Sequence, residues 1–167
     1  MQSLQSLAEP MQTPIAATAS ITVAALPATT LAAALAIDPV STVLTRGIIP
    51  GVRSVKGQTG PWSSPGQTRT LTLTDGSTVE ETLVALHADG YSYRIAKFSG
   101  LFRFIVAEAN ARFDVAAHAG GSTLTWTYAF TPKGAMAAAI LSFLVDSQWN
   151  GFMDAALSRL KPAIERA

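Results

Sequence analysis

Residues 68–96 read TRTLTLTDGSTVEETLVALHADGYSYRIA. Thr and Leu alternate over Thr70–Thr74, Asp75-Gly76 supplies a turn, and Val79–His87 is a second strand-like run. Ala88-Asp89-Gly90 is another turn, and Tyr91–Ala96 a third run. Three strands joined this closely make an antiparallel meander, because parallel strands would need long crossovers. The pattern continues downstream. Ile105–Ala117 is a strand, His118–Gly121 a turn, and Ser122–Phe130 a strand stopped by Pro132.

Upstream, Met1–Thr13 has no clear period and reads as a loose arm, which leaves 14–166 as one domain. Thr18–Ala25 is a strand. Pro27 has the fixed φ suited to a first helical turn, so a short helix opens at Leu26-Pro27 and ends at Asp38-Pro39. Val40–Thr45 is one more helical turn, Val52 and Val55 mark a short strand, and Gln58–Gly66 is a loop that contains Trp62. At the other end, Gly134 to about Ala163 is one long helix. Ser142, Asp146, Asn150, Asp154, Ser158, Lys161 and Glu165 form a slowly drifting polar stripe, with Leu141, Leu144, Val145, Gln148, Phe152, Ala156 and Leu160 mostly opposite. Phe143 projects near the polar stripe, and Pro162 is expected to kink or end the helix. The fold class is α+β: a sheet of six or seven antiparallel strands, two short helices after the first strand, and a long C-terminal helix that needs the sheet's apolar face.

Turn lengths set the register. A three-residue loop at Ala88–Gly90 puts Ala85 opposite Tyr93 and Leu83 opposite Ile95. A five-residue loop at Thr74–Thr78 puts Leu73 opposite Val79 and Leu71 opposite Glu81. A four-residue loop at His118–Gly121 puts Val115 opposite Leu124 and Phe113 opposite Trp126. One face then carries Leu71, Leu73, Glu81, Leu83, Tyr93, Ile95, Phe113, Trp126 and Tyr128, and Glu81 is its one carboxylate.

Composition narrows the functions. The 167 residues are 49% hydrophobic and 14% charged, with a net charge of +1. Disorder is excluded for the bulk of the chain, and no field favours a nucleic-acid partner. With no cysteine there is no disulfide, thiolate nucleophile or cysteine-bound metal. His87 and His118 are too few for a zinc site and sit at turns, so neither a metal nor another cofactor is expected. The uncharged stretch Pro10–Ile37 is broken by Pro14 and Pro27, and the apolar run Ala135–Val145 is too short to span a bilayer. With no basic residue before Arg46, a secretory signal is not supported, and the cytoplasm is the default location.

The ordered set of Leu26-Pro27-Ala28, Asp38-Pro39, Ile49-Pro50-Gly51-Val52, Asp75-Gly76, Val79, Glu81, Leu83, Tyr91–Ile95, Trp126–Phe130 and the terminal helix resembles the START-like superfamily, also called SRPBCC. The nearest branch is the bacterial polyketide cyclase/dehydrase and lipid-transport group. The resemblance spans about Pro14–Arg166 and implies a helix-grip fold, with a cavity for an apolar ligand between the curved sheet and the C-terminal helix. It also implies polar contacts from Glu81 and from a basic residue near Arg53.

The expected ligand contacts are therefore Arg53, Leu71, Leu73, Glu81, Leu83, Tyr93, Ile95, Phe113, Trp126, Tyr128, Leu144, Gln148 and Phe152. Glu81 is the candidate general acid or base; it is otherwise a structural carboxylate paired with Arg53 or another cation. Trp149 and Met153 mark either a homodimer surface or packing against the short helices. Three functions stay open: a carrier of a hydrophobic small molecule or lipid, a cyclase-like enzyme using Glu81 with Tyr93 or Tyr128, and an interaction protein with a collapsed interior.

Overall fold

A computed structural model describes residues 12–167. The arm expected over 1–13 lies outside them except for Gln12 and Thr13. The elements are β1 (Ile15–Val23), α1 (Pro27–Leu35), α2 (Pro39–Thr42), β2 (Val52–Lys56), β3 (Thr68–Leu73), β4 (Thr78–His87), β5 (Gly90–Ala96), α3 (Phe102–Ile105), β6 (Val106–His118), β7 (Gly121–Pro132), α4 (Ala135–Leu144) and α5 (Asn150–Glu165). The strands form one antiparallel sheet in the order β1-β7-β6-β5-β4-β3-β2. Its inner face packs on α5 and α1, and the core lies between these layers.

Alternation decides which side chains turn inward. Along β7 every second residue from Ser122 to Pro132 is buried, and along β6 the buried set is Val106, Ala109, Ala111, Phe113 and Val115. The β6–β7 register is the expected one, with Val115 opposite Leu124 and Phe113 opposite Trp126. The ladder runs one pair further, to His118 and Gly121, so the turn is shorter than expected.

Two other hairpins differ. Leu83 faces Tyr93 rather than Ile95, and His87 pairs with Gly90 across a two-residue turn. A bulge at Val84 inserts one extra residue into β4. The tighter turn and the bulge each shift the pairing by one, so Glu81 and Leu83 stay inward with new partners, while between bulge and turn Leu86 takes the inward place expected of Ala85. In the β3–β4 hairpin the loop begins one residue earlier than expected, so Leu71 faces Val79 and Arg69 faces Glu81.

The C-terminal helix is continuous but not regular. Between α4 and α5 lies a wide turn, Val145–Trp149, closed by the Asn150 N–H bonding to the Val145 carbonyl five residues back. Ala137, Leu141 and Leu144 face inward before it, and Phe152, Met153, Ala156, Leu157 and Leu160 after it. Pro162 neither ends nor breaks the helix, which runs on to Glu165. The carbonyl it leaves without a helical partner is that of exposed Ser158, which water can reach. The four-residue helix α3 occupies the segment before β6 that carries no clear period.

A buried polar clasp joins α1 to the sheet. Thr30 and Ser122 share a 2.7 Å hydrogen bond, and the Ser122 hydroxyl donates to the Ala25 carbonyl at 2.9 Å. Beside it, Gly121 lies so close to β1 that an added Cβ would meet the Val23 carbonyl oxygen. Gly121→Ala should therefore push β1 from β7 and cost about 2 kcal/mol, read as a lower urea midpoint.

Candidate functional site

Between the sheet and α5 lies a cavity of about 120 Å³, counted as the space open to the centre of a water molecule. One water needs only about 10–15 Å³ on that measure, so the interior is not filled by side chains alone. The sheet wall is aromatic. Phe113 stacks on Trp126 at 5.2 Å and 9°, and on Tyr91 at 5.2 Å and 26°. Tyr128 meets Trp149 of the wide turn at 5.1 Å, and Trp149 meets Phe152 at 5.1 Å. Phe98 and Phe102 stack at 6.2 Å where the β5–β6 connection reaches the cavity.

Polar groups are few and mostly paired within the protein. The Trp126 Nε1 donates to the Tyr93 hydroxyl at 3.1 Å, and the Tyr91 hydroxyl donates to the Ala34 carbonyl at 2.9 Å. Burial pushes all three tyrosines, Tyr91, Tyr93 and Tyr128, above the usual phenol range, so they are neutral donors at any ordinary pH. The Trp149 Nε1 is buried with no partner among the described residues.

The one charged device is a three-residue stack. The Arg69 Nε donates to the Glu81 carboxylate at 2.7 Å, and both side chains are almost wholly buried. On the other side the Arg69 guanidinium lies 4.0 Å from the centroid of the Trp62 ring. Trp62 is buried and adopts φ 58, a left-handed conformation unusual for a bulky side chain. Burial raises the Glu81 pKa, and the Arg69 charge and hydrogen bond pull it back only in part. On the outer side, Trp62 and Arg69 also border a shallower recess beside α1 and the Gln58–Pro61 loop.

Of the residues expected to contact a ligand, Leu71, Leu73, Glu81, Tyr93, Phe113, Trp126, Tyr128 and Phe152 all border the cavity. Arg53 is a correction. Strand alternation turns it outward from β2, where it donates to the Thr74 carbonyl at 3.1 Å, and Arg69 is the partner of Glu81. Leu83 and Ile95 face inward but are packed over and do not reach the cavity surface. Leu144 is core and Gln148 lies against Gly47, since the wide turn re-aims this part of the helix. Arg69 shares the parity of Leu71 and Leu73, and Tyr91 that of Tyr93, so strict alternation contained both. No periodicity could have placed Trp62, which sits in a loop. Trp149 and Met153 are buried, Trp149 against Phe102 of α3, which disfavours the dimer reading for these two residues.

His87 and His118 are exposed at strand ends, and no three His, Asp or Glu side chains converge on a metal-sized site among the described residues. No helix there is long and apolar enough to cross a membrane.

Residues 14–165 match the family model described as polyketide cyclase / dehydrase and lipid transport. The chain belongs to that family. A comparison with curated proteins gives no match. Among solved structures, Ara h 8.0201 is 21% identical with a TM-score of 0.66, over 92% of this chain and 99% of that one. The protein XoxI from Bacillus cereus is 20% identical with a TM-score of 0.62, over 89% and 94%. The di-domain ARO/CYC BexL from the BE-7585A biosynthetic pathway is 17% identical with a TM-score of 0.62, over 94% of this chain and 52% of that one. These likenesses establish the shared helix-grip fold.

The Arg69–Glu81 pair has a direct test. Arg69→Ala leaves a buried carboxylate alone and should cost about 3 kcal/mol at pH 7 in urea unfolding. The Glu81 pKa in the folded variant then lies further above its unfolded value near 4.5. Stability is lost as pH rises from that unfolded value through the folded one, so the deficit should shrink as pH falls from 8 toward 5. A pH-independent deficit would mean that Glu81 carries no buried charge.

Proposed function

We propose that this family member binds and carries a hydrophobic small molecule or lipid in the cavity between sheet and C-terminal helix. The supporting observation is the open, aromatic-walled cavity, whose one ion pair is already satisfied internally. An apolar ligand gains by leaving water, and the few polar tips left over, such as the Tyr128 hydroxyl and the Trp149 Nε1, orient it. The proposed contacts are Leu71, Leu73, Trp62, Tyr93, Phe113, Trp126, Tyr128 and Phe152. A cavity of this size also argues against the collapsed-core reading.

A second reading rests on Glu81. A carboxyl with a raised pKa facing an apolar cavity could exchange a proton with a bound polyketone, as a cyclase requires. The ion pair with Arg69 weighs against it, because the guanidinium offsets part of that rise and holds one carboxylate oxygen.

Three measurements separate these readings. Native mass spectrometry of the freshly purified protein should show an apolar adduct that organic extraction removes. Ala156 faces the cavity from α5, so Ala156→Phe should fill the space and weaken titration of a fluorescent apolar probe by about tenfold, the effect of roughly 1.4 kcal/mol. Unchanged probe affinity in that variant would sink the carrier reading. Glu81→Gln should leave probe binding within about threefold, whereas loss of turnover of a polyketone substrate with binding intact would establish the enzyme.

A further inference from the structure

The helix α4 is apolar except at Ser142, yet it is not buried all round. Its inner stripe is Ala137, Leu141 and Leu144. A second stripe at the same spacing, Met136, Ile140 and Phe143, points to solvent with exposures of 80%, 47% and 74%. A helix with apolar residues on every face belongs in a core or against another apolar phase. Next to it, α3 adds Leu101 and Phe104, exposed by 82% and 61%. The two elements are tied together where Lys133 donates from its backbone to the Ile105 carbonyl at 3.0 Å and from Nζ to the Arg103 carbonyl at 2.6 Å. Five large apolar side chains thus share one connected surface.

Charge indicates what covers this surface. Neither 97–107 nor 133–145 contains an Asp or Glu, whereas Lys97, Arg103 and Lys133 are all exposed there. Lys97 is paired with Glu80 at 2.8 Å, but Arg103 and Lys133 form no ion pair among the described residues. The Arg103 guanidinium lies 4.5 Å from the centroid of the Phe104 ring, so a cation and an aromatic side chain present themselves together. The nearest acidic group along α4 is Asp146, one turn beyond Phe143. A second copy docked by a two-fold axis would bring these cations against themselves. An anionic lipid surface offers both the apolar layer and the opposite charge.

We propose that the α3–α4 face, built from Leu101, Phe104, Met136, Ile140 and Phe143 with Arg103 and Lys133 at its rim, docks the protein on anionic membrane surfaces. The same short helix that turns Leu101 and Phe104 outward turns Phe102 into the cavity, so the docking face is the outer side of a cavity wall. The proposal deepens the carrier reading by naming where cargo would be exchanged, and rests on it only for that role. Docking itself does not require cargo.

The test is sedimentation with phosphatidylcholine vesicles, with and without phosphatidylglycerol. The protein should pellet only with the anionic vesicles, and added salt should release it. Arg103→Gln and Lys133→Gln should each weaken binding by about fivefold, the effect of roughly 1 kcal/mol per basic residue at such a surface. Phe143→Asp should abolish it while the circular dichroism spectrum is unchanged. The chain has no native cysteine, so Met136→Cys carrying an environment-sensitive dye provides a second readout. Its emission should shift to the blue on anionic vesicles, and that of a dye on Val84→Cys, exposed in β4, should not. Equal binding to both vesicle types, no binding, or a solution dimer that Phe143→Asp dissociates would each overturn the proposal. Vesicle binding without probe uptake in solution would refute the carrier reading alone, and probe uptake without vesicle binding would refute the docking face alone.

Discussion

Trp149 holds the C-terminal helix off the sheet. Its ring meets Phe130 at 4.8 Å, Tyr128 at 5.1 Å and Phe152 at 5.1 Å, and Phe102 closes the group at 6.4 Å. Rings of this size cannot shorten, so the helix stands away from the inner face wherever they lie between them. Across β5, β6 and β7 the wall carries the rings of Tyr91, Tyr93, Phe113 and Trp126, and towards β3 and β4 it passes to Leu71, Leu73, Val79 and Glu81. Residues filling this interior must satisfy packing on one side and leave a surface on the other. That accounts for the aromatic character of the wall, since a stacked ring is ordered by its neighbours and needs no contact on its free face.

Much of this was legible in the chain. Alternation over 68–130 gave the meander, and the broad apolar face of 134–163 gave the partner helix. The inward positions Glu81, Leu83, Tyr93 and Ile95 also hold, although their pairing differs by two residues, and Ala85 gives up the inner face to Leu86. A turn one residue tighter and a bulge at Val84 act in the same direction, so before the bulge the shift is two and Glu81 and Leu83 keep their face, whereas beyond it the shift is one and Leu86, not Ala85, turns inward. Errors in partner and errors in face are thus physically distinct, and only the second would have hidden the cavity. A separate shift of two at the β3–β4 hairpin sets Arg69, rather than Leu71, opposite Glu81.

The residues that stayed hidden lie where period carries no information. Trp62 is in a loop rich in Gly, Pro and Ser, and only the folded chain brings its indole over Arg69. Its left-handed backbone costs on the order of 1 kcal/mol, and burial of the ring against the guanidinium offsets that cost. Helix α3 is too short to show a period at all. One helical phase carried through the wide turn aims Gln148 and Leu144 at the cavity, but the phase changes there.

That turn amounts to one residue too many. In an unbroken α-helix, the phase of Phe152, Met153 and Ala156 would bring Ser142 and Ala138 to the sheet in place of Leu141 and Ala137. The five-residue turn absorbs the surplus and keeps hydrocarbon on the inner face along the whole length. A shorter chain lacking an exposed residue such as Ser147 would form a regular helix with the same inner residues. What the surplus residue provides is therefore local. It sets a wider turn at the level of the cavity, where Trp149 reaches Tyr128 on the sheet and Phe152 on the next turn of helix.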